Sequence, residues 1–123
     1  MKQLRLIIAF LMLIFILTGC SLSTKDNDSP KTILKNNPEA DLFVVDETVY
    51  INASEIEWVT ELNLTKDHIL GKVKSTGVKK HFTNWAATKL EVNTEVYSEV
   101  QRNDILLVKI GDELIPYLKY VEG

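Results

Sequence analysis

The sequence predicts a mainly β (α+β) fold: a small antiparallel sheet, or a partial barrel, with one short helix. Three observations support this fold class. Two stretches pair apolar, β-branched runs around short turns, as β-hairpins do. Further short apolar runs give about six strands in all, at a spacing typical of small β domains. Residues 32–123 are enough for one small domain and no more.

The first predicted hairpin lies in "DLFVVDETVYINAS". Residues 42–45 and 49–51 are apolar and mostly β-branched, and Asp46, Glu47 and Thr48 separate them. Acidic and hydroxyl side chains of this kind favour turns. The adjacent carboxylates of Asp46 and Glu47 would raise each other's pKa if buried, but in a turn they are expected to be solvated.

The second predicted hairpin lies in "RNDILLVKIGDELIPYLKYVEG". Residues 105–110 and 114–121 form its strands, with a turn at Gly111 and Asp112. Glycine at the first central position of a two-residue loop favours a type II′ turn. Because Pro116 has no N–H to donate, the last strand is expected to be an edge strand or to leave the sheet there.

Weaker patterns lie between the hairpins. In "SEIEWVTEL", Ser54 and Glu57 form a capping-box pattern for a short helix, while alternating apolar residues would also suit a strand; we favour the helix. "HILGKVK" and "GVKKHF" flank the turn residues 75–77 and predict a third hairpin. Residues 88–100 suit one or two more strands.

The N-terminal segment has the pattern of a secretory signal. Residues 6–17 are twelve consecutive apolar residues, fewer than the roughly 20 that a spanning helix needs. Lys2 and Arg5 precede this run, and the small residues Thr18 and Gly19 follow it. A positive n-region, an apolar h-region and small residues before a cleavage point predict a helical signal peptide over residues 1–19.

The residues Leu17, Thr18, Gly19 and Cys20 resemble the lipobox of bacterial lipoproteins. The resemblance implies that a diacylglyceryl group is attached to the sulfur of Cys20 and that the signal peptidase cleaves between Gly19 and Cys20. It also implies that the protein is held at the extracytoplasmic face of the cell membrane. An uncleaved short anchor with a free thiol is the alternative. Cys20 is the only cysteine, so a disulfide within the chain is excluded.

The predicted organisation is a signal peptide (1–19), a lipidated cysteine with a flexible tether (20–31) and one β-rich domain (32–123). The tether is predicted because "SLSTKDNDSP" is polar and almost free of apolar groups.

The mature segment is similar to a group of short lipoproteins of Bacillus-type bacteria that have no assigned activity. The phrases that carry the similarity are "NPEADLFVVDETVYINASEIEWV", "AATKLEVNTEVYSEV" and "ILLVKIGDELIPYLKYVEG". The central segment "LTKDHILGKVKST" departs from the group, which has more glycine there, as does Asn93, where the group has a glycine. The resemblance implies a compartment and a family, and it assigns no active-site residue.

Charge argues against a nucleic-acid partner. The chain has 14 basic and 17 acidic residues, and cleavage removes Lys2 and Arg5, which leaves 12 against 17 and a formal charge of −5. Phosphate backbones require concentrated positive charge instead. The expected partners are the membrane, through the N-terminal lipid, and an envelope protein, a wall component or a small ligand.

The chain carries no recognisable catalytic or cofactor motif: no Gly-rich phosphate loop, nucleophile elbow or zincin pattern occurs. His68 and His81 are thirteen residues apart without zinc-ligand spacing, so they are interpreted as surface histidines rather than metal ligands. Asp112 and Glu113, in the second predicted turn, are expected to be solvated. No catalytic residue, metal site or cofactor is predicted.

Two groups of residues are candidates for binding. Four lysines of the predicted third hairpin could meet anionic lipid headgroups or wall polymers: Lys72, Lys74, Lys79 and Lys80. The alternative, which we favour, is that they protect a strand edge from pairing with other chains. Trp58 and Trp85 could form an aromatic platform for a glycan or peptide, although core packing is the favoured interpretation.

Two classes of function remain. The first is a non-enzymatic, membrane-tethered binding or interaction module of the cell envelope. The second is a small envelope hydrolase or isomerase whose site has no sequence motif. The absence of a motif that pairs a base with a nucleophile favours the first class.

Overall fold

A computed structural model describes residues 29–121 and shows a mainly β fold, as predicted. Two short helices and seven strands follow one another in this part of the chain. They are α1 (Ser29–Asn36), β1 (Leu42–Val45), β2 (Thr48–Asn52), α2 (Glu57–Thr60), β3 (Lys66–Lys72), β4 (Ala86–Ala87), β5 (Glu95–Glu99), β6 (Ile105–Ile110) and β7 (Glu113–Lys119). The predicted signal peptide and lipobox lie outside the described residues.

The strands form one antiparallel sheet in the order β3-β5-β6-β7-β2-β1-β4. The chain that leaves β3 returns to the opposite edge, where Ser75 forms a parallel bridge with Ala86 of β4. The Lys74 amide donates to the Trp85 carbonyl at 2.9 Å, and the Ala87 amide to the Ser75 carbonyl at 2.9 Å. These bonds draw the two edges together, and the sheet is curled into a half-barrel.

The concave face of the sheet carries the largest apolar cluster, which we call the inner core. Its buried members are Phe43, Val73, Trp85, Ala87, Leu90, Val96, Leu106, Val108 and Tyr117. Phe43 stacks on Trp85 with ring centroids 6.5 Å apart and on Tyr50 at 5.5 Å. Because this cluster joins residues from both ends of the strand order, burial of its side chains stabilises the curl.

Two separate apolar clusters cover the convex face. Over β1 and β2, Ile33 and Leu34 of α1 pack with Phe82 against a cluster that includes Leu42, Val44 and Val49. Over β6, residues of the α2 segment, Val59 among them, pack on Ile105 and Leu107. Residues 105–108 are therefore buried on both faces, which explains the unbroken apolar run in β6.

Both strongly predicted hairpins are confirmed. In the first, Val45 pairs with Thr48 around Asp46 and Glu47, which have φ of 49° and 66°. Two central residues with positive φ define a type I′ turn, whose twist matches that of the strands. In the second, Ile110 pairs with Glu113, and Gly111 has φ of 62° at the first central position, as a type II′ turn requires.

Pro116 was predicted to mark an edge strand or the point where the last strand leaves the sheet, and both alternatives were wrong, since the β6–β7 pairing continues through Pro116. Strand β7 lies inside the sheet, between β6 and β2. The Pro116 carbonyl accepts a hydrogen bond from the Ala53 amide at 2.8 Å, so the polar backbone atoms of Pro116 face the end of β2 rather than β6. The β2–β7 pairing stops one residue away, at Tyr117. The missing proline N–H therefore falls just beyond the ladder, where no strand partner requires it.

The segment that could be helix or strand contains the four-residue helix α2. Its N-cap is Ile56, without a side-chain capping bond, so the predicted capping box does not form. The Ser54 hydroxyl instead donates to Oδ1 of Asn52 at 2.7 Å. The burial of Val59 against the sheet stabilises this helical turn, which has no polar cap.

The third predicted hairpin was wrong. Residues 66–72 do form a strand, but β3 pairs with β5 rather than with residues 77–82, which form no strand. Residues 77–82 do not pair with β3 because Phe82 instead packs on the convex face, against the same cluster as α1. Residues 88–100 contain one strand, β5.

Helix α1 was not predicted. The tether predicted over residues 20–31 lies outside the described residues as far as position 28, and residues 29–31 form the first turn of α1. Proline is tolerated in a first helical turn, where its missing N–H has no partner to lose, and Pro30 is buried there. The packing of Ile33 and Leu34 on the sheet stabilises this short helix.

Candidate functional site

The most distinctive polar feature of the described residues is a cleft between α1 and the loop of residues 76–84. It has a volume of about 430 Å³. Lys31 and Lys35 of α1 line one side, Lys79 and Lys80 of the loop line the other, and Leu34 and Pro38 complete the wall. We call this the lysine cleft. Two of the four lysines singled out from the sequence therefore belong to it, while Lys72 and Lys74 are exposed elsewhere on or just after β3.

Backbone bonds and one aromatic side chain place the loop against α1. At its start, the Gly77 amide donates to the Thr88 carbonyl at 3.2 Å, and the Val78 amide to the Ala87 carbonyl at 3.1 Å. Further along, Phe82 packs against the same buried cluster as Ile33 and Leu34 of α1. The loop is thus attached both before and after Lys79 and Lys80, on the side of the sheet that also carries α1.

The lysine cleft concentrates positive charge on an acidic chain. Within residues 29–121, none of its four lysines takes part in a salt bridge. The nearby Glu39 is bound by Lys89 at 2.7 Å, and this bond, followed by the charge of Lys79, lowers the pKa of Glu39. Lysines that converge without carboxylate partners repel one another, and an anion bound between them relieves that repulsion.

The two tryptophans do not form a common platform. Trp85 is only 8% exposed and belongs to the inner core, as favoured from the sequence. Trp58 is 46% exposed, so the expectation that it packs in the core was wrong. The Arg102 guanidinium lies 5.4 Å above its ring and forms a two-pronged ion pair with Asp104 at 2.9 and 2.8 Å. Trp58 is therefore partly covered by a cation on the surface.

His68 lies in a group that resembles a hydrolytic triad in composition but not in geometry. Its Nδ1 atom is 3.1 Å from the Ser98 hydroxyl and 3.2 Å from Oδ2 of Asp67. A triad needs the serine on one ring nitrogen and the carboxylate on the other, so that the base is oriented while it accepts the proton. Here both partners meet the same nitrogen, and the arrangement cannot relay a proton. His81 is exposed, as predicted.

A partly buried polar network that the sequence did not predict lies between β1, β2 and β7. Oδ2 of Asp41 accepts hydrogen bonds from the Tyr117 hydroxyl at 2.7 Å and from Nδ2 of Asn52 at 3.0 Å. Burial, and then the bond to Asp41, raise the pKa of Tyr117 well above its usual range. Oδ1 of Asp41 has no hydrogen-bond partner within residues 29–121. Residues 76 positions apart meet here, so no local sequence pattern could have indicated the network.

Strand β3 is the most exposed strand of the sheet. Six of its seven residues are exposed, among them Ile69 at 45% and Leu70 at 42%. Its pairing with β5 shifts register twice. Bulges of this kind, with Lys66 and Lys72 at the ends of the strand, discourage a second chain from pairing with the edge. For Lys72, the edge-protection interpretation therefore fits its position.

The predicted turn carboxylates are exposed: Asp46, Glu47, Asp112 and Glu113. The first two line an open cleft of about 520 Å³ beside Phe82, Thr83 and Asn84. Within the part of the chain that the structure describes, no group of three or more His, Cys, Asp or Glu side chains could hold a metal ion. Over the same residues, no helix has the length and apolar character that would let it cross a bilayer.

Comparison with protein-family models, with curated proteins and with solved structures finds no match for this chain. The similarity to short lipoproteins therefore remains a prediction from the sequence.

Proposed function

We propose that the protein is a lipid-anchored lipoprotein of the extracytoplasmic membrane face, and that its β-rich domain is a non-enzymatic binding module of the cell envelope. The lipobox sequence that ends at Cys20 supports the anchor. The observation that carries the binding role is the lysine cleft, which is built on α1, the first helix of the described residues. Four lysines that line one cleft, none of them in a salt bridge within residues 29–121, suit a ligand or partner surface that is anionic.

The geometry around His68 supports a binding role over the alternative, a small envelope hydrolase. Ser98 and Asp67 both face Nδ1 of His68, so neither could act as the second partner of a general base. The group is also exposed: the side chains of His68 and Asp67 are 65% and 56% accessible. Water would compete with every bond that such a site needs.

Site-specific photo-crosslinking in intact cells tests the proposal. A crosslinking residue at Pro38, on the wall of the cleft, should form adducts with an envelope component. The same residue at Asp112, in the exposed β6–β7 turn, is the matched control and should give few adducts. Equal adducts from both positions, or none from position 38, would contradict a binding role for the cleft.

A further inference from the structure

We infer that the lysine cleft binds the phosphate headgroups of anionic phospholipids in the same membrane that carries the lipid anchor, so that the domain lies against the bilayer. This inference rests on the proposed anchoring at Cys20 and names the ligand of the cleft.

The chemistry of the cleft matches a phosphate. Lys31, Lys35, Lys79 and Lys80 each present an ammonium group with three donors on a flexible stem, and lysine is a common point-charge partner for phosphate oxygens. No acidic residue lines the cleft, and the nearby Glu39, which interacts with the charge of Lys79, is bound by Lys89. Leu34 and Pro38 add apolar surface beside them, against which lysine stems and the glycerol region of a lipid can pack.

The position of the cleft on the chain favours a lipid over other anions. Eight residues, 21–28, lie between Cys20, the predicted site of lipidation, and the start of α1. Even fully extended, eight residues span at most about 26–29 Å. Lys31 and Lys35 follow within the first two turns of α1. So short a connection keeps the cleft near the headgroups, and the attraction between unlike charges becomes effective once they approach within a Debye length, about 8–10 Å.

The anchor and the cleft would bind the same membrane in two different ways. An acyl anchor fixes the protein to the membrane, and a basic patch adds attraction that depends on anionic lipid and on salt. The effective concentration of headgroups around a tethered cleft is high, so weak contacts at single lysines suffice. The remaining surface of this acidic chain is repelled by the same bilayer, and the domain is thereby oriented with α1 toward it.

Amine footprinting of the lipidated full-length mature protein tests this inference. The protein is placed in vesicles of neutral phosphatidylcholine, or of phosphatidylcholine with phosphatidylglycerol, and the rate of lysine acetylation is measured by mass spectrometry. The four cleft lysines should react several-fold more slowly in the anionic vesicles at low salt, and this protection should disappear at high salt. Lys109 and Lys119, exposed on β6 and β7, should react alike in both.

Flotation of the same samples separates the two proposals. If the protein does not float with either vesicle, the anchor is absent and both proposals fail. If it floats but the cleft lysines react equally in both vesicles, the headgroup inference fails and the anchor stands. Neutral vesicles with added inorganic phosphate form a third arm, and protection there equal to that in anionic vesicles would show a site for free phosphate rather than for a headgroup.

Two variants that each lose four lysine charges test whether membrane contact depends on where the charges lie or only on how many there are. A thiol-reactive fluorophore is attached at Pro38→Cys, and its quenching by spin-labelled headgroups is measured. The fluorophore reacts only there, because the sulfur of Cys20 is occupied by the lipid. Lys31→Gln, Lys35→Gln, Lys79→Gln and Lys80→Gln together should abolish the quenching in anionic vesicles. Lys66→Gln, Lys72→Gln, Lys74→Gln and Lys109→Gln together remove the same charge elsewhere and should preserve it. Equal loss in both variants would overturn the cleft as the site.

Discussion

Glu99 is the most completely bonded carboxylate among the described residues. One of its oxygens accepts the Thr65 amide at 2.9 Å, and the other accepts the amides of Gln101 and Arg102 at 2.8 and 2.9 Å. These bonds fix the turn that leads from β5 to β6, and the side chain is buried beneath it. Sequence reasoning missed this role, because a glutamate at the end of a strand is usually solvated.

Glu99→Gln should therefore destabilise the domain by about 1–3 kcal/mol. The amide keeps one acceptor but turns its NH₂ group toward a backbone donor, which leaves that donor unpaired. Urea denaturation measures the change, and Glu113→Gln, at an exposed position, is the control that should change stability little. If the two variants were equally stable, the amide bonds to Glu99 would not stabilise the turn.

The stabilising effect of Glu99 should also depend on pH. The hydrogen bond from the Thr65 amide is the largest of the effects that lower the pKa of Glu99 below its ordinary value of 4.5. A lowered native pKa stabilises the protein above pH 4.5, and this stabilisation is lost as the pH falls through the native value. The difference between the wild type and Glu99→Gln should thus be constant near neutral pH and shrink below pH 4.5.

The ring of Trp85 leaves no room for a side chain at position 71, which is occupied by glycine. A Cβ atom at position 71 would overlap the indole, with Cε2 at 2.7 Å and Cη2 at 2.9 Å. Trp85 cannot move freely, because it is stacked in the inner core and its amide donates to the Val44 carbonyl at 2.7 Å.

Gly71→Ala should cost about 1–3 kcal/mol through overpacking. In a Trp58→Phe background, the remaining tryptophan fluorescence reports on Trp85 alone, and its emission should shift as the ring is displaced. Lys72→Ala, at the exposed neighbouring residue, is the control. Unchanged stability and emission in Gly71→Ala would show that Trp85 does not rest on the backbone of β3.

At the scale of elements, the β1–β2 turn holds two residues in a conformation that glycine prefers. Glu47 has φ of 66°, which is unfavourable for a residue with a Cβ atom. Glu47→Gly should therefore stabilise the domain by about 0.5–1 kcal/mol, measured by urea denaturation. Glu47→Ala removes the carboxylate but keeps the strained backbone, so it should give no gain. A gain from alanine equal to that from glycine would assign the effect to charge instead.

Elements joined by short turns were predicted well, and long-range pairings were not. The β1–β2 and β6–β7 hairpins follow from turn chemistry and alternation within a few residues. Strand β3, however, pairs with β5 across the intervening loop and β4, and no local signal indicates that partner. The prediction for Pro116 failed for the same reason. The pairing of β2 with β7 ends beside Pro116, and only the arrangement of the whole sheet determines where that pairing ends.

At the scale of the molecule, only half of the candidate site was foreseen. Lys79 and Lys80 were noticed as positive charges on an acidic chain, but Lys31 and Lys35 were assigned to the tether or left uninterpreted. They line one cleft because Phe82 of the loop and Ile33 and Leu34 of α1 pack against the same buried cluster. A contact between residues so far apart in sequence depends on tertiary packing, and periodicity within a window does not report it.

Intact-mass analysis of the membrane-extracted protein tests whether the chain is anchored by lipid at Cys20. The two chains of a diacylglyceryl group hold a protein stably, since each buried CH₂ contributes about 0.8 kcal/mol. We expect a protein that begins at Cys20 and carries the mass of the diacylglyceryl modification, and that incorporates labelled fatty acid. Cys20→Ser should incorporate no label and should retain the signal segment or be cut elsewhere. A wild-type protein that is intact from Met1 with a free, alkylatable thiol, or a labelled Cys20→Ser variant, would contradict the account.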